Sequence, residues 1–289
     1  MINPREYFLY DFRRLNDSGR NDFVGIPRLA VYWRKVFVEN ISEIYSDKYK
    51  TYHVYRKYYG REVIKISSET DFPAFNSFIE RHCRFIIKPI RECGGKRIHI
   101  AEVHDKDEAA ELFNEILRNG DSLVEELIMQ DPDIAKFYQG SVNTVRFVTF
   151  YHNDRLTKIC AVLRMGRNGS EVDNATNGGI FVPIDMEYGI AYTYAKSFKG
   201  EKYAFHPDTG VQILGAKIPK WPELNNLIED LVRIVPEQKM IGWDMALTPT
   251  GWVMVEANSR PESQEMVNDH GFRDVMSDFY DILLSKEYS

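Results

Sequence analysis

The sequence predicts an α+β fold. Three features carry that prediction: apolar runs that return on themselves across turn residues, a capped helix with strict helical periodicity, and a closing hairpin about Pro249-Thr250-Gly251. The chain has 289 residues, 44% apolar and 28% charged, which is ordinary for a globular protein with a sizeable core and argues against disorder. Cys83, Cys93 and Cys160 fall in no C-x-x-C pair, and no long uncharged apolar run is visible. A reduced, cytoplasmic setting with neither disulfide framework nor membrane span is therefore expected, and no nucleic-acid partner.

The first 45 residues read as mixed helix and loop, with "IPRLAVYWRKVFVENISEIY" at roughly helical spacing. The net charge of -6 hides an asymmetry, since residues 1–61 hold 12 Lys/Arg against 7 Asp/Glu and the remainder 25 against 36. This opening is also rich in aromatics (Tyr7, Phe8, Tyr10, Phe12, Tyr32, Trp33, Phe37). It reads as a solvated, partly core-building helical face in preference to a surface for an anionic acceptor or lipid.

From Asp47 onward the texture changes. "CRFIIKPI" (83–90) is a short buried strand, "RECGGKR" a glycine loop and "IHIAEV" (98–103) a returning strand. "DKDEAAELFNEILRNG" (105–120) is a helix with Asp105 as N-cap, Glu108 at the capping-box position and Gly120 as stop. "SLVEELIM" (122–129) is a further strand, and "TVRFVTFY" and "KICAVLRMG" pair across "HNDRL". Residues 167–181 are too rich in Asn and Gly to be regular. A helix over about 222–234, the closing hairpin and an amphipathic helix complete the chain.

The chemistry concentrates first on the hairpin "IGWDMALTPTGWVMVEAN". Antiparallel pairing about its turn sets residues whose numbers sum to about 500 opposite one another, so Asp244 faces Glu256. Strand alternation puts Asn258 on their face and turns Trp243, Met245, Val253 and Val255 toward a core. Opposed carboxylates repel unless something positive lies between them, and an Asp, Glu and Asn set suits Mg²⁺ or Mn²⁺. The bland alternative is a solvated polar strand face.

Lys88 ends an apolar strand, and Gly94 and Gly95 follow where a backbone could approach phosphate closely. Neither a Walker A loop nor a G-x-G-x-x-G fingerprint is present. Glu125 and Glu126 sit among apolar residues, where a carboxylate needs a partner such as a lysine or an adenine amino group. Asn143, Arg146, Arg164, Arg167, Asp173, Asn174 and Asn177 gather around a strand pair and a glycine-rich loop, types that bind phosphate and carboxylate. Trp243, Trp252 and Phe147 read as core, and His206 in "HPDTG" as a turn residue.

In order, "DKYKTY", "FIIKPIRECGG", "LVEELI", "SVNTVRFVT", "RMGRNGSEVDNATNGG", "HPDTGVQILGAKIPKWPE" and "GWDMALTPTGWVMVEAN" resemble the ATP-grasp superfamily, and within it the sugar-transfer-associated ATP-grasp family. The resemblance implies two α+β subdomains clamping ATP, at 47–128 with the lysines and glycine loop and at 129–289 with the metal hairpin. The N-terminal domain common in the superfamily's ligases is reduced to a helical and loop extension, 1–46. The resemblance implies that Lys48 and Lys88 reach ATP phosphates under Gly94 and Gly95. It further implies that Glu125, Glu126 and the backbone of Leu127 and Ile128 form the adenine hinge, and that Asp244, Glu256 and Asn258 hold magnesium.

Many amino-acid ligases of the superfamily carry an arginine two residues before that Asp. Gly242 stands here, so Arg146, Arg164 or Arg167 must supply the charge if the reaction is ligation. Asn143 is grouped with the nucleotide contacts. The expected chemistry is ATP- and Mg-dependent carboxylate–amine ligation through an acyl phosphate, with two ions. The expected partners are a small-molecule carboxylate and a sugar-type or other amine acceptor, in polysaccharide or natural-product biosynthesis. The rivals are phosphoryl transfer to a hydroxyl and a nucleotide-binding subunit without turnover.

Overall fold

A computed structural model describes residues 12–23, 26–36, 38–92, 97–173, 178–261 and 271–284. The expectations for Gly94, Gly95, Asn174, Asn177, Cys93, Tyr7, Phe8, Tyr10 and Phe37 fall outside them. The chain divides into two compact units, Glu43–Met129 and the pair of segments Met1–Ser42 and Gln130–Ser289.

The Glu43–Met129 unit holds four antiparallel strands, β1 (Val63–Ile66), β2 (Arg84–Pro89), β3 (His99–Glu102) and β4 (Ser122–Glu126), in the order β1-β4-β2-β3. β2 and β3 form the expected hairpin. Helices Phe72–Ile79 and Lys106–Asn119 belong to the same core, which joins Phe75, Phe78 and Phe113 to Phe85 and Val124 of the sheet. Asp105 caps the second helix, accepting from the N–H groups of Asp107 and Glu108, each at 2.9 Å. Glu108 reaches back one residue further than a capping box requires, to the N–H of His104 at 2.8 Å. Gly120 ends the helix at φ 97°, where a Cβ is disfavoured. β4 stops at Glu126, short of the expected 129, and "EVIKI" supplies the unanticipated strand β1 beside it.

The larger unit is built on a seven-stranded antiparallel sheet. Its strands are β5 (Thr144–His152), β6 (Arg155–Met165), β7 (Ile180–Ile184), β8 (Ala195–Ser197), β9 (Lys202–Tyr203), β10 (Met240–Thr248) and β11 (Gly251–Asn258). Their order is β11-β10-β5-β6-β7-β8-β9. β5 and β6 turn on Asn153 and Asp154 alone, both at positive φ (50° and 58°), the geometry whose twist matches a two-residue hairpin. One face carries Phe147 stacked on Trp221 of helix Trp221–Val232, with ring centroids 5.8 Å apart, and Trp243 donating to Thr149 at 2.9 Å. All three tryptophan and phenylalanine positions read as core, Trp243, Trp252 and Phe147, are buried.

The N-terminal extension expected over 1–46 groups with this unit as far as Ser42. Leu29 and Tyr32 of helix Ile26–Lys35 share a core with Val148, Phe150, Met240 and Phe279, and the Tyr32 and Phe279 rings lie 4.3 Å apart. Burial of an apolar helical stripe, not an independent fold, is what places these residues.

The β10–β11 hairpin sets Asp244 opposite Glu256 and Gly242 opposite Asn258. Between Asp244 and Met245 the register shifts, so Met245 pairs with Met254 and Leu247 with Trp252. The extra residue, Val255, moves the tip by one position. Val253, expected on the core face, therefore lies opposite Ala246 on the face of Asp244, and Trp252 and Met254 take the core face instead.

Candidate functional site

Each unit carries one buried knot of charge. In the Glu43–Met129 unit it forms where β4 lies between β1 and β2. Glu125 is 2% exposed and accepts from Lys88 Nζ at 2.8 Å and from Arg61 Nε at 2.8 Å. Burial alone would push this carboxyl up, but the charges of Arg61 and Lys88 outweigh it and hold it at about 2. Of the partners left open by the sequence, the structure places a lysine, together with an arginine, on Glu125. Arg61 was not anticipated; "YYGREVIKI" marks it only as a residue preceding a strand.

Lys48 opens helix Lys48–Tyr55, whose N-cap Asp47 accepts from the N–H groups of Tyr49 and Lys50 at 3.0 Å. The main-chain N–H of Lys48 donates to Ile90, two residues beyond Lys88, at 3.1 Å, which fixes the two lysines at one end of β2. Its ammonium donates to the carbonyl of Glu92. Glu126 accepts from the N–H of Glu62 at 3.0 Å, so its carboxylate braces the start of β1. The chain then leaves the sheet, and among the described residues no hydrogen bond is made to the main chain of Leu127 or Ile128.

In the larger unit, Glu256, Asp244 and Arg146 stand directly opposite one another on β11, β10 and β5. Asp244, 4% exposed, takes both Nε and Nη2 of Arg146, the latter at 2.7 Å, and Nη1 of Arg164 at 3.0 Å. Arg164 continues to Asp173 at 3.1 Å, and Asp173 accepts from the Thr144 hydroxyl. Burial would raise the Asp244 carboxyl; the two guanidinium groups win and lower it. At Asp173 burial wins and the carboxyl is pushed up despite Arg164. The positive charge expected between opposed carboxylates is thus supplied at Asp244 by two arginines from neighbouring strands.

Gly242 explains how Arg146 fits. A Cβ added there would lie 3.2 Å from Cδ of Arg146 and 2.9 Å from Cβ of Pro261. The missing side chain two residues before Asp244 leaves the space that the Arg146 stem occupies from the adjacent strand. Gly242→Ala is expected to push the guanidinium off Asp244, cutting substrate-dependent ATP turnover about tenfold, roughly 1.4 kcal/mol in the barrier. Unchanged steady-state kinetics for that variant would show the stem has room to spare.

Three residues singled out in the sequence have other surroundings. Arg167 does not join this cluster. It donates to Tyr203 and to the carbonyl of Gly178, each at 2.6 Å, and pairs with Glu201 at 3.3 Å, tying the loop to the sheet's far edge. Asn143 is fully buried and its amide nitrogen donates to Gln130 Oε1, Ile134 O and Tyr138 O, so it pins the 130–143 connection. His206, read as a turn residue, is buried; it donates through Nε2 to Gly166 O at 2.9 Å and stacks on Tyr138.

The donor set for a hard divalent cation fits. Asp244 Oδ2 takes only one of the three arginine bonds, which leaves acceptor capacity on that oxygen. Asn258, two pairs along on the same face, has a buried side-chain amide nitrogen with no hydrogen-bond partner among the described residues, and turning the amide presents its oxygen at that place. Three oxygen donors on alternate pairs of one hairpin, all on one face, match what Mg²⁺ prefers.

Among solved structures, the fold is similar to D-alanyl-alanine synthetase A from Vibrio cholerae O1 biovar eltor, at 11% identity and a TM-score of 0.53, over 84% of this chain and 67% of that one. It is also similar to the ATP-grasp ligase PsnB complexed with minimal precursor, at 12% identity and a TM-score of 0.51, over 86% of this chain. The chain spans 62% of PsnB, less than two thirds of its length. No curated protein matches the chain. No helix among the described residues is long and apolar enough to cross a membrane. A family model described as sugar-transfer associated ATP-grasp matches residues 28–280, and the chain belongs to that family.

Proposed function

We propose that the protein is an ATP-dependent, ADP-forming carboxylate–amine ligase, joining an amino acid or other carboxylate to a sugar-type or other amine acceptor in polysaccharide or natural-product biosynthesis. The observation that carries this reading is the Glu256–Asp244–Arg146 row, which sets oxygen donors for a cation directly beside arginine charge. In this scheme a substrate carboxylate takes the γ-phosphoryl group and ADP leaves; the amine then attacks the acyl carbon and phosphate departs. Lys48 and Lys88 hold the nucleotide phosphates, with Glu125 keeping Lys88 charged and aimed, and the open main chain of Leu127 and Ile128 receives adenine. Arg146 and Arg164 stabilise the phosphoryl oxygens and the oxyanion of the second step. Asp244, Glu256 and Asn258 would hold Mg²⁺ or Mn²⁺, two ions in the expected scheme, whose contribution is to neutralise charge on the β and γ phosphates.

Incubation with ATP, Mg²⁺ and candidate carboxylate and amine pairs is expected to release ADP, and hydroxylamine is expected to trap a hydroxamate. AMP with pyrophosphate would reject the mechanism, and a stable phosphorylated alcohol would assign phosphoryl transfer instead. Glu256→Gln is expected to lower turnover by roughly two to three orders of magnitude, because a neutral ligand weakens the hold on a hard cation. The unfolding free energy should stay within about 1 kcal/mol of wild type, since the side chain is only half-buried. Full activity in this variant would remove the residue from the site.

A further inference from the structure

Strand β3 ends one side of the four-stranded sheet, and among the described residues no strand pairs with its outer edge. The N–H of Val103, one residue past the strand, donates to Cys83 O at 2.9 Å. By alternation His99, Ala101 and Val103 turn their main-chain groups toward β2, and Ile100 and Glu102 turn theirs outward. Among the described residues those outward N–H and C=O groups have no partner. Ala101 and Val103 pack in the core that holds Phe113, so helix Lys106–Asn119 covers that side of the sheet. Its neighbouring stripe, Glu108, Glu111, Leu112, Glu115 and Arg118, recurs at helical spacing and borders a groove of about 890 Å³ along the strand edge. That volume is at the upper end of the roughly 300–1,000 Å³ found for clefts that take ligands.

An open ladder, an adjoining groove and a wall of one charge sign therefore occur together. Glu102, Glu108, Glu111 and Glu115 line the groove against one arginine, Arg118, and the other titratable groups there are His99 and His104. Glu108 is held by the His104 N–H at 2.8 Å. Glu111 and Glu115, one turn apart and exposed, make no hydrogen bond or ion pair among the described residues. A strand added to β3 would lie about 4.8 Å from it and turn every second side chain toward that helix stripe.

We propose that β3 receives, by strand addition, an extended segment of a partner protein with lysine or arginine at alternate positions. Ile100 and Glu102 supply the main-chain pairing, and Glu111 and Glu115 select the basic side chains. The surface lies wholly within the Glu43–Met129 unit and stands whether or not the chain is a ligase. A second copy of the chain fits less well. Pairing β3 with itself about a two-fold axis would continue one sheet with both helices on the same side, setting glutamate stripe beside glutamate stripe.

The probe is a synthetic octapeptide alternating lysine with threonine, added to the full chain and followed by calorimetry and by amide hydrogen exchange. Binding is expected to weaken as salt is raised. Exchange at Ile100 and Glu102 is expected to slow at least about tenfold, while Ala101, already bonded within the sheet, changes little. The same peptide with glutamate for lysine should not bind. Glu111→Lys combined with Glu115→Lys, at exposed positions, should weaken the lysine peptide at least about tenfold without a change in folding. Ile100→Pro removes one outward N–H and keeps the bonds to β2, and should weaken it about tenfold as well. If that variant does not fold, the exchange pattern of wild type decides the point. Absence of binding, equal binding of the two peptides, or binding that leaves Ile100 and Glu102 unchanged would overturn the proposal. So would a peptide-free protein whose mass doubles with concentration as those two amides become protected, which would assign the edge to a second copy.

Discussion

Glu125→Gln is expected to destabilise the Glu43–Met129 unit by about 3–5 kcal/mol, the usual result of removing one partner from a buried ionic group. Arg61 and Lys88 converge on one carboxylate that is nearly sealed from water. The amide that replaces it is neutral and offers one acceptor oxygen, so two cations lose their counter-charge while remaining desolvated. The pH dependence has a defined sign. The Glu125 carboxyl lies near 4.5 in the unfolded chain and at about 2 when folded, so its contribution is fully present above about pH 4.5 and is lost as pH falls toward 2. The lowered value corresponds to about 3 kcal/mol. Urea unfolding at pH 7 and at pH 3 should therefore show a wild-type loss that the glutamine variant lacks. Equal pH slopes in the two proteins would mean that the cations are satisfied by other groups.

Asp244→Asn is expected to abolish ATP turnover, by about a thousandfold or more, and to cost about 3 kcal/mol of stability. In the proposed reading one carboxylate does two jobs: it holds two guanidinium groups in place, as the structure shows, and it would offer an oxygen to the cation. Asparagine keeps the volume and one acceptor oxygen but loses the charge. Arg164 retains Asp173, whereas among the described residues the Arg146 guanidinium hydrogen-bonds to Asp244 alone, so Arg146 is expected to move more. ADP release and urea titration on the same preparation separate the two losses. Turnover within threefold of wild type would reject both roles.

The parts of this molecule that local rules determine were legible in the sequence. Helix Lys106–Asn119 follows from its cap, its apolar period and Gly120, and the β5–β6 and β10–β11 hairpins follow from alternation about turn residues. The opposition of Asp244 and Glu256 needs only a turn and a count. Long-range choices were not legible. Nothing local in "YYGREV" says that Arg61 will meet Glu125, 64 positions away, and nothing in Arg167 distinguishes it from Arg164. The difference is two strand edges: Arg164 lies within a nine-residue ladder beside Thr144, while Arg167 has left the strand and turns to Tyr203 and Glu201. Lys196 gave no signal at all in "TYAKSFKGEK", because its burial is decided by strands β7 and β9 on either side.

The single unmatched residue at Val255 has a consequence for how this hairpin can change. The turn at its tip dictates one phase of pairing and strand β5 dictates another, and Val255 is the offset that lets both be obeyed. The tip can therefore lengthen or shorten without dragging Glu256 and Asn258 off their face, provided the offset is kept. Deleting Val255 alone would force a choice between the turn and the row of donors, although no side chain in that row would have been touched.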